Sequence, residues 1–187
     1  MTLTLKEETI LGFLLNFYKD KIEILKDIVY QNNPLSLRLI DWLVTNYSKK
    51  YNVIYPIIKN NGDITYFNIY LDYKNQLKAY SKKFFDPFCR QRRIIIDCNT
   101  LSVNEYNDDK LNVDKNNFVV TTVGQLNFFR WFLENKIFEY AINNIKLIDF
   151  DMGTVITNKK KGKRIVLSQS AVKGVFTSSQ NVTLKFL

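Results

Sequence analysis

Lys74, Lys78 and Lys82 recur at every fourth position, so a helix would carry their three ammonium groups on one face with no acid between them. Lys83, Arg90, Arg92 and Arg93 follow, and across residues 73–93 the single acid is Asp86. Like charges at this spacing cost a helix a few tenths of a kcal/mol per pair, roughly, and anionic phosphates would offset that cost. A second run, Lys159, Lys160, Lys161, Lys163 and Arg164, puts five cations into six residues, again with no acid. The chemistry on offer is phosphate binding with release of counterions, which DNA and RNA both allow. Tyr73, Tyr80, Phe84, Phe85 and Phe88 interleave with the first run and could stack on unpaired bases. The same spacing also suits a hydrophobic core, and a charge run is ordinarily a solvated face or a solubilising linker.

Little else in the sequence points to chemistry. There is no histidine, which removes the commonest general base, imidazole-dependent triads and the usual zinc and haem ligand sets. Cys89 lies beside Arg90, but without an imidazole base it reads as a structural thiol. Asp97 closes an apolar stretch, the place where metal-dependent nucleases put an acid, yet no Glu-x-Lys companion follows on a neighbouring strand. Asp149 and Asp151 could hold a divalent cation, although two acids near a helix end more commonly mark a solvated break. Neither glycine-rich phosphate-loop pattern is present. The expectation is a non-enzymatic binding protein with no cofactor and no bound metal, the alternative being a metal-dependent nuclease acting through Asp97.

Elements that could position these residues follow from caps and periodicity. Thr4 and Glu7 form a capping box ahead of a helix predicted to run to about Tyr30. Asn33 and Pro34 read as the cap and first position of a second helix carrying Leu39, Trp42, Leu43 and Tyr47, giving an N-terminal helical pair. Val53 to Ile58 and Ile64 to Leu71, joined through Asn60-Asn61-Gly62-Asp63, predict a β-hairpin. Tyr73 to Lys83 reads as a helix, Arg92 to Cys98 and Phe118 to Thr121 as strands, and Asn99 to Asn117 as a surface loop. Thr122 and Gln125 suggest a second capping box opening a long buried helix to about Lys146, with a break near Gly153.

The fold class expected is therefore α+β: a helical pair, a mainly antiparallel sheet of about four strands, a long buried helix and a basic tail. A single domain spans residues 1–157, and residues 158–187 form a basic linker and a short strand at Val182 to Leu187. The chain has 187 residues with 46% hydrophobic and 24% charged content, ordinary globular values, and a net charge of +9 that favours an anionic partner. No apolar run nears the roughly 18 residues of a membrane span. Glu7 and Glu8 sit where a signal peptide would be basic and apolar, and two cysteines suit a reducing compartment.

Three blocks carry a resemblance to a known family: Tyr73 to Arg90, Thr121 to Trp131, and, more weakly, the basic run leading into Leu167 to Lys173. Together they reach from about residue 37 to the end. They resemble a family of uncharacterised proteins of giant, Mimivirus-like viruses in the nucleocytoplasmic large DNA group. The resemblance lends no activity and no catalytic residue. It implies a protein acting in the host cytoplasm or in the virion, on nucleic acid or on other virion proteins or copies of itself. A nucleic-acid binder predicts that the cations above collect on one surface, whereas a virion assembly protein predicts an exposed apolar patch.

Overall fold

The computed structural model describes residues 3–58, 62–106 and 113–161. Helix α1 (Leu5–Tyr18) opens on the capping box: Glu7 N donates to Thr4 Oγ1 (3.3 Å) and Thr4 N to the Glu7 carboxylate (2.9 Å). The helix does not continue to Tyr30. It breaks at Lys19–Lys21 and α2 (Ile22–Val29) follows, because the two ends are anchored to different elements. Tyr18 OH donates to Leu126 O (2.7 Å), whereas Tyr30 OH donates to Phe118 O (2.8 Å) and accepts from Val120 N (3.3 Å).

The second helix also starts later than expected. Asn33 Oδ1 accepts from Leu35 N (2.8 Å), making Asn33-Pro34 a turn. Ser36 caps α3 (Leu37–Trp42), its Oγ accepting from Leu39 N (3.1 Å). The helix then widens into a π turn at Leu43–Tyr47 and closes as α4 (Ser48–Lys50).

Strands β1 (Ile54–Ile58) and β2 (Ile64–Asn68) form the hairpin, antiparallel with Pro56 opposite Tyr66. The second strand stops at Asn68, short of Leu71, because the Asn68 side chain caps α5 (Ile69–Phe84) by accepting from Leu71 N (3.0 Å). Strand β3 (Ile94–Asp97) pairs antiparallel with β5 (Phe118–Thr121) as expected, and on its other side with β4 (Val103–Glu105). Strand β4 lies inside the stretch read as loop. Among the described residues the strands therefore divide into a two-stranded sheet and a three-stranded sheet of order β4-β3-β5 rather than one sheet of four. The pairings among them are antiparallel and the class is α+β.

Helix α6 (Val123–Glu134) is the centre of the core, with nine of its 12 residues buried, so its polar side chains have to find partners inside. Thr122 Oγ1 accepts from Gln125 N (3.1 Å), but the Gln125 side chain does not complete a capping box. It accepts from Thr121 Oγ1 (2.8 Å) and donates to Pro87 O (2.8 Å). Asn127 Nδ2 donates to Phe84 O (2.9 Å) and Trp131 Nε1 to Asp72 Oδ1 (2.6 Å). Helices α5 and α6 are thus pinned antiparallel at both ends, with Phe85, Phe128 and Trp131 packed between them at ring separations of 5.1–5.6 Å.

The long helix expected to reach Lys146 is interrupted. Lys136 takes a left-handed conformation (φ 57°), α7 (Ile137–Asn143) follows, and α8 (Ile145–Lys161) runs through Gly153, where a break was expected. The chain divides into two compact units, residues 1–152 and residues 153–187. Lys159, Lys160 and Lys161 lie in the last turns of α8. Lys163, Arg164 and the strand expected at Val182 to Leu187 fall outside the described residues.

The close approach of α6 to the end of α5 yields a test. A Cβ on Gly124 would stand 2.7 Å from Lys83 O, a backbone atom that cannot swing aside. Gly124→Ala should therefore destabilise by about 1–3 kcal/mol, despite the gain of about 1 kcal/mol in helix propensity, as read from the urea midpoint.

Candidate nucleic-acid interface

Lys74 and Lys78 stand exposed on α5, one turn apart, as the sequence requires. The stripe does not reach Lys82, because Ser81 adopts φ 58° and ψ 170°, a conformation costing a non-glycine residue about 1–3 kcal/mol. The surroundings impose this turn. Asp86 N donates to Gly124 O (3.2 Å), and with the bonds from Asn127 and Gln125 this clamps the backbone of residues 84–87 onto α6. Phe84, Phe85 and Tyr73 are buried as a result, so these three are core residues and not platforms for bases.

Beyond the clamp the cations meet acids. Arg90 makes two bonds to the buried Asp86, Nε to Oδ2 at 2.8 Å and Nη2 to Oδ1 at 2.7 Å, while its guanidinium lies 4.8 Å from the Phe88 ring centre. Arg92 pairs with Glu105 of β4, and Lys83 Nζ stands 3.8 Å from Glu7. Lys82 and Arg90 both act on Asp41 of α3, whose carboxyl is pushed up by burial and by the Asp86 charge and is drawn back by these two cations. The neighbour of Cys89 is Arg93 and not Arg90; burial raises the thiol, and the Arg93 charge and hydrogen bond only partly counter that.

The residues converge in part. Arg90, Arg92 and Arg93 line one open cleft of about 590 Å³ together with Cys89, Gln91 and Tyr106. Gln91 and Arg92 also line a second cleft of about 330 Å³ that holds Lys83, Glu7 and the start of α6. Tyr106 joins the first cleft to a third, of about 700 Å³, floored by Ile95 and Phe118 of the three-stranded sheet. Three clefts thus share walls, with the arginines in the middle one. Lys74 and Lys78 line none of them, and Lys159, Lys160 and Lys161 belong to the other unit. Tyr106 carries no sequence signal, since it follows a strand of only three residues in a stretch rich in Asn and Asp.

Of the three acids that could hold a metal, Asp149 is exposed on α8, and Asp97 and Asp151 are bonded to other groups. Asp97 Oδ1 accepts from Asn99 N (2.8 Å) and Thr100 N (3.0 Å), and these bonds hold its carboxyl below the usual range while shaping the turn into β4. Asp151 is buried where a solvated break was expected. It accepts from Trp42 Nε1 (3.0 Å), Tyr51 OH (3.0 Å) and Lys50 Nζ. Among the described residues no three acid or thiol side chains gather as a metal ligand set. No helix among them is long and apolar enough to cross a membrane.

A family of unknown function, DUF7197, matches over residues 2–182. The chain belongs to this family. An uncharacterized protein of Acanthamoeba polyphaga mimivirus is 39% identical over 142 residues, covering 76% of this chain and 51% of the relative. The giant-virus resemblance seen in the sequence therefore holds, and the chain spans about half the length of that viral relative. No solved structure matches it.

Asp151 supplies a pH test. Burial pushes its carboxyl up, but the bonds from Lys50, Trp42 and Tyr51 outweigh burial, and the net displacement is downward. A group depressed in the folded state stabilises the fold above its unfolded value, near 3.9, and this contribution is lost as pH falls through the folded value. Stability measured by urea unfolding should therefore drop on acidification below about pH 4, and Asp151→Asn should be less stable at neutral pH and flatter in that acid range.

Proposed function

We propose that the chain is a non-enzymatic nucleic-acid-binding protein that grips phosphates. The cleft of Arg90, Arg92 and Arg93 is its centre, with Lys83 in the adjoining cleft and Lys74, Lys78 and Lys82 on and beyond α5. The basic run Lys159, Lys160, Lys161, Lys163 and Arg164 adds further phosphate contacts. The observation that carries this reading is the gathering of three guanidinium groups around one open cleft in a chain of net charge +9. The carboxylate partners of Arg90 and Arg92 do not defeat it. A guanidinium has five N–H donors and a bidentate pair uses two, so a phosphate can be added or exchanged. The proposed setting is the host cytoplasm or the virion of a large DNA virus.

An assembly role among virion proteins is the second reading. It is supported by the uncharged apolar outer face of the β1–β2 hairpin, where Ile58 and Tyr66 are 73% and 76% exposed.

The phosphate reading is tested by fluorescence anisotropy with a labelled oligonucleotide over a salt series. With about six phosphates engaged, log K should fall against log salt with a slope near −5. Arg93→Glu with Lys83→Glu should weaken binding at least about tenfold and make the slope shallower by about two. Glu105→Gln, which releases Arg92 from its carboxylate, should tighten binding. A flat salt dependence, or no binding at low salt, removes the proposal.

A further inference from the structure

The β1–β2 hairpin has two unlike faces. Tyr55 and Phe67 point inward: Tyr55 OH donates to Asn135 O (2.7 Å), its ring stacks on Tyr140 (5.4 Å, 12°), and Phe67 lies 6.4 Å from Trp131. By the strand register, Ile54, Pro56 and Ile58 of β1 share the outer face with Ile64 and Tyr66 of β2. Ile54, Ile58, Ile64 and Tyr66 are 49%, 73%, 64% and 76% exposed, and Pro56 is exposed as well. Five neighbouring apolar side chains in water form a contiguous patch, not scattered surface hydrophobes.

Two further observations choose the occupant. The first is charge. Among the described residues this face bears no ionisable group except the Tyr66 phenol. Two copies can therefore meet through this face without bringing like charges together. A partner drawn by the basic surface would find nothing to pair with. The second is shape and size. The face is arranged around the Pro56–Tyr66 pair with an isoleucine pair, Ile58 and Ile64, toward the turn. It can therefore meet its own image about a two-fold axis, as an isologous contact requires. The five side chains expose on the order of 500 Å² per copy, somewhat under the roughly 800 Å² per partner of a standard interface, which fits a dimer of micromolar strength. Addition of a strand at the β1 edge is disfavoured, since Pro56 has no N–H to donate there.

We propose that the outer face of the β1–β2 hairpin is a self-association surface, packing face to face against the same face of a second copy. The inference is independent of phosphate binding and narrows the assembly reading to one partner.

Sedimentation equilibrium of the full chain in high salt, after nuclease treatment, tests it. The mass should rise with concentration from 22.1 kDa toward twice that value, with a dissociation constant on the order of 10 µM. Tyr66→Lys and, separately, Ile64→Lys should weaken the dimer at least about tenfold while leaving the circular dichroism spectrum unchanged, and the melting temperature unchanged at concentrations well below the dissociation constant, because both side chains are exposed. A wild-type chain that stays monomeric at a hundredfold higher concentration overturns the proposal, and so does a dimer that both lysine variants leave intact. If the monomer still binds anilinonaphthalene sulfonate in a Tyr66-dependent way, the face is open to a different protein and the broader assembly reading stands. If it does not bind the dye, both fail.

Discussion

Gln125, Asn127 and Trp131 sit on a helix with almost no contact with water, and each polar atom they bring inside would cost about 1–3 kcal/mol if left without a partner. All three find partners, and in each case the partner is part of, or directly follows, α5: Pro87 O, Phe84 O and the Asp72 carboxylate. Satisfying α6 therefore dictates where the end of α5 must lie. The sharp turn at Ser81, the burial of Phe84 and Phe85, and the emergence of Arg90, Arg92 and Arg93 at the surface all follow from that accommodation. Gly124 belongs to the same constraint, since only a residue without a side chain lets the two backbones come so close.

Local signals in the sequence were legible where the determinant was itself local. The Thr4–Glu7 box, the Thr122 cap, the hairpin around Gly62 and the apolar face of α6 depend on neighbours within a few residues, and the structure has them all. The breaks at Lys19–Lys21, Ser81 and Lys136 were not legible. The first two are imposed by contacts distant in sequence, Tyr18 to Leu126 and Gln125 to Pro87, and no local pattern encodes those. Next to the left-handed Lys136 the distant contact is Tyr55 OH to Asn135 O, equally absent from any local pattern. Strand β4 escaped notice because three residues, Val103 to Glu105, are too few to show an alternation among so many asparagines and aspartates.

Charge, too, depends on contacts distant in sequence. Counting cations between residues 73 and 93 gives a large excess, yet Glu7 and Glu105, remote in sequence, come to meet Lys83 and Arg92. Asp86, the one acid in the stretch, is buried and orders Arg90 as a two-pronged pair. What remains is a surface where Arg90 and Arg92 are each paired with an acid. In the phosphate binding proposed above, such a surface would lose less entropy per phosphate and give up some raw attraction in exchange.

The hydroxyl of Tyr30 reaches β5 and holds both Phe118 O and Val120 N, the outward-facing groups of that strand. A phenol thus closes one border of the three-stranded sheet against further strands. Losing that single oxygen would leave the side chain's packing in place while uncovering a short template for intermolecular pairing, so the residue guards solubility as well as stability.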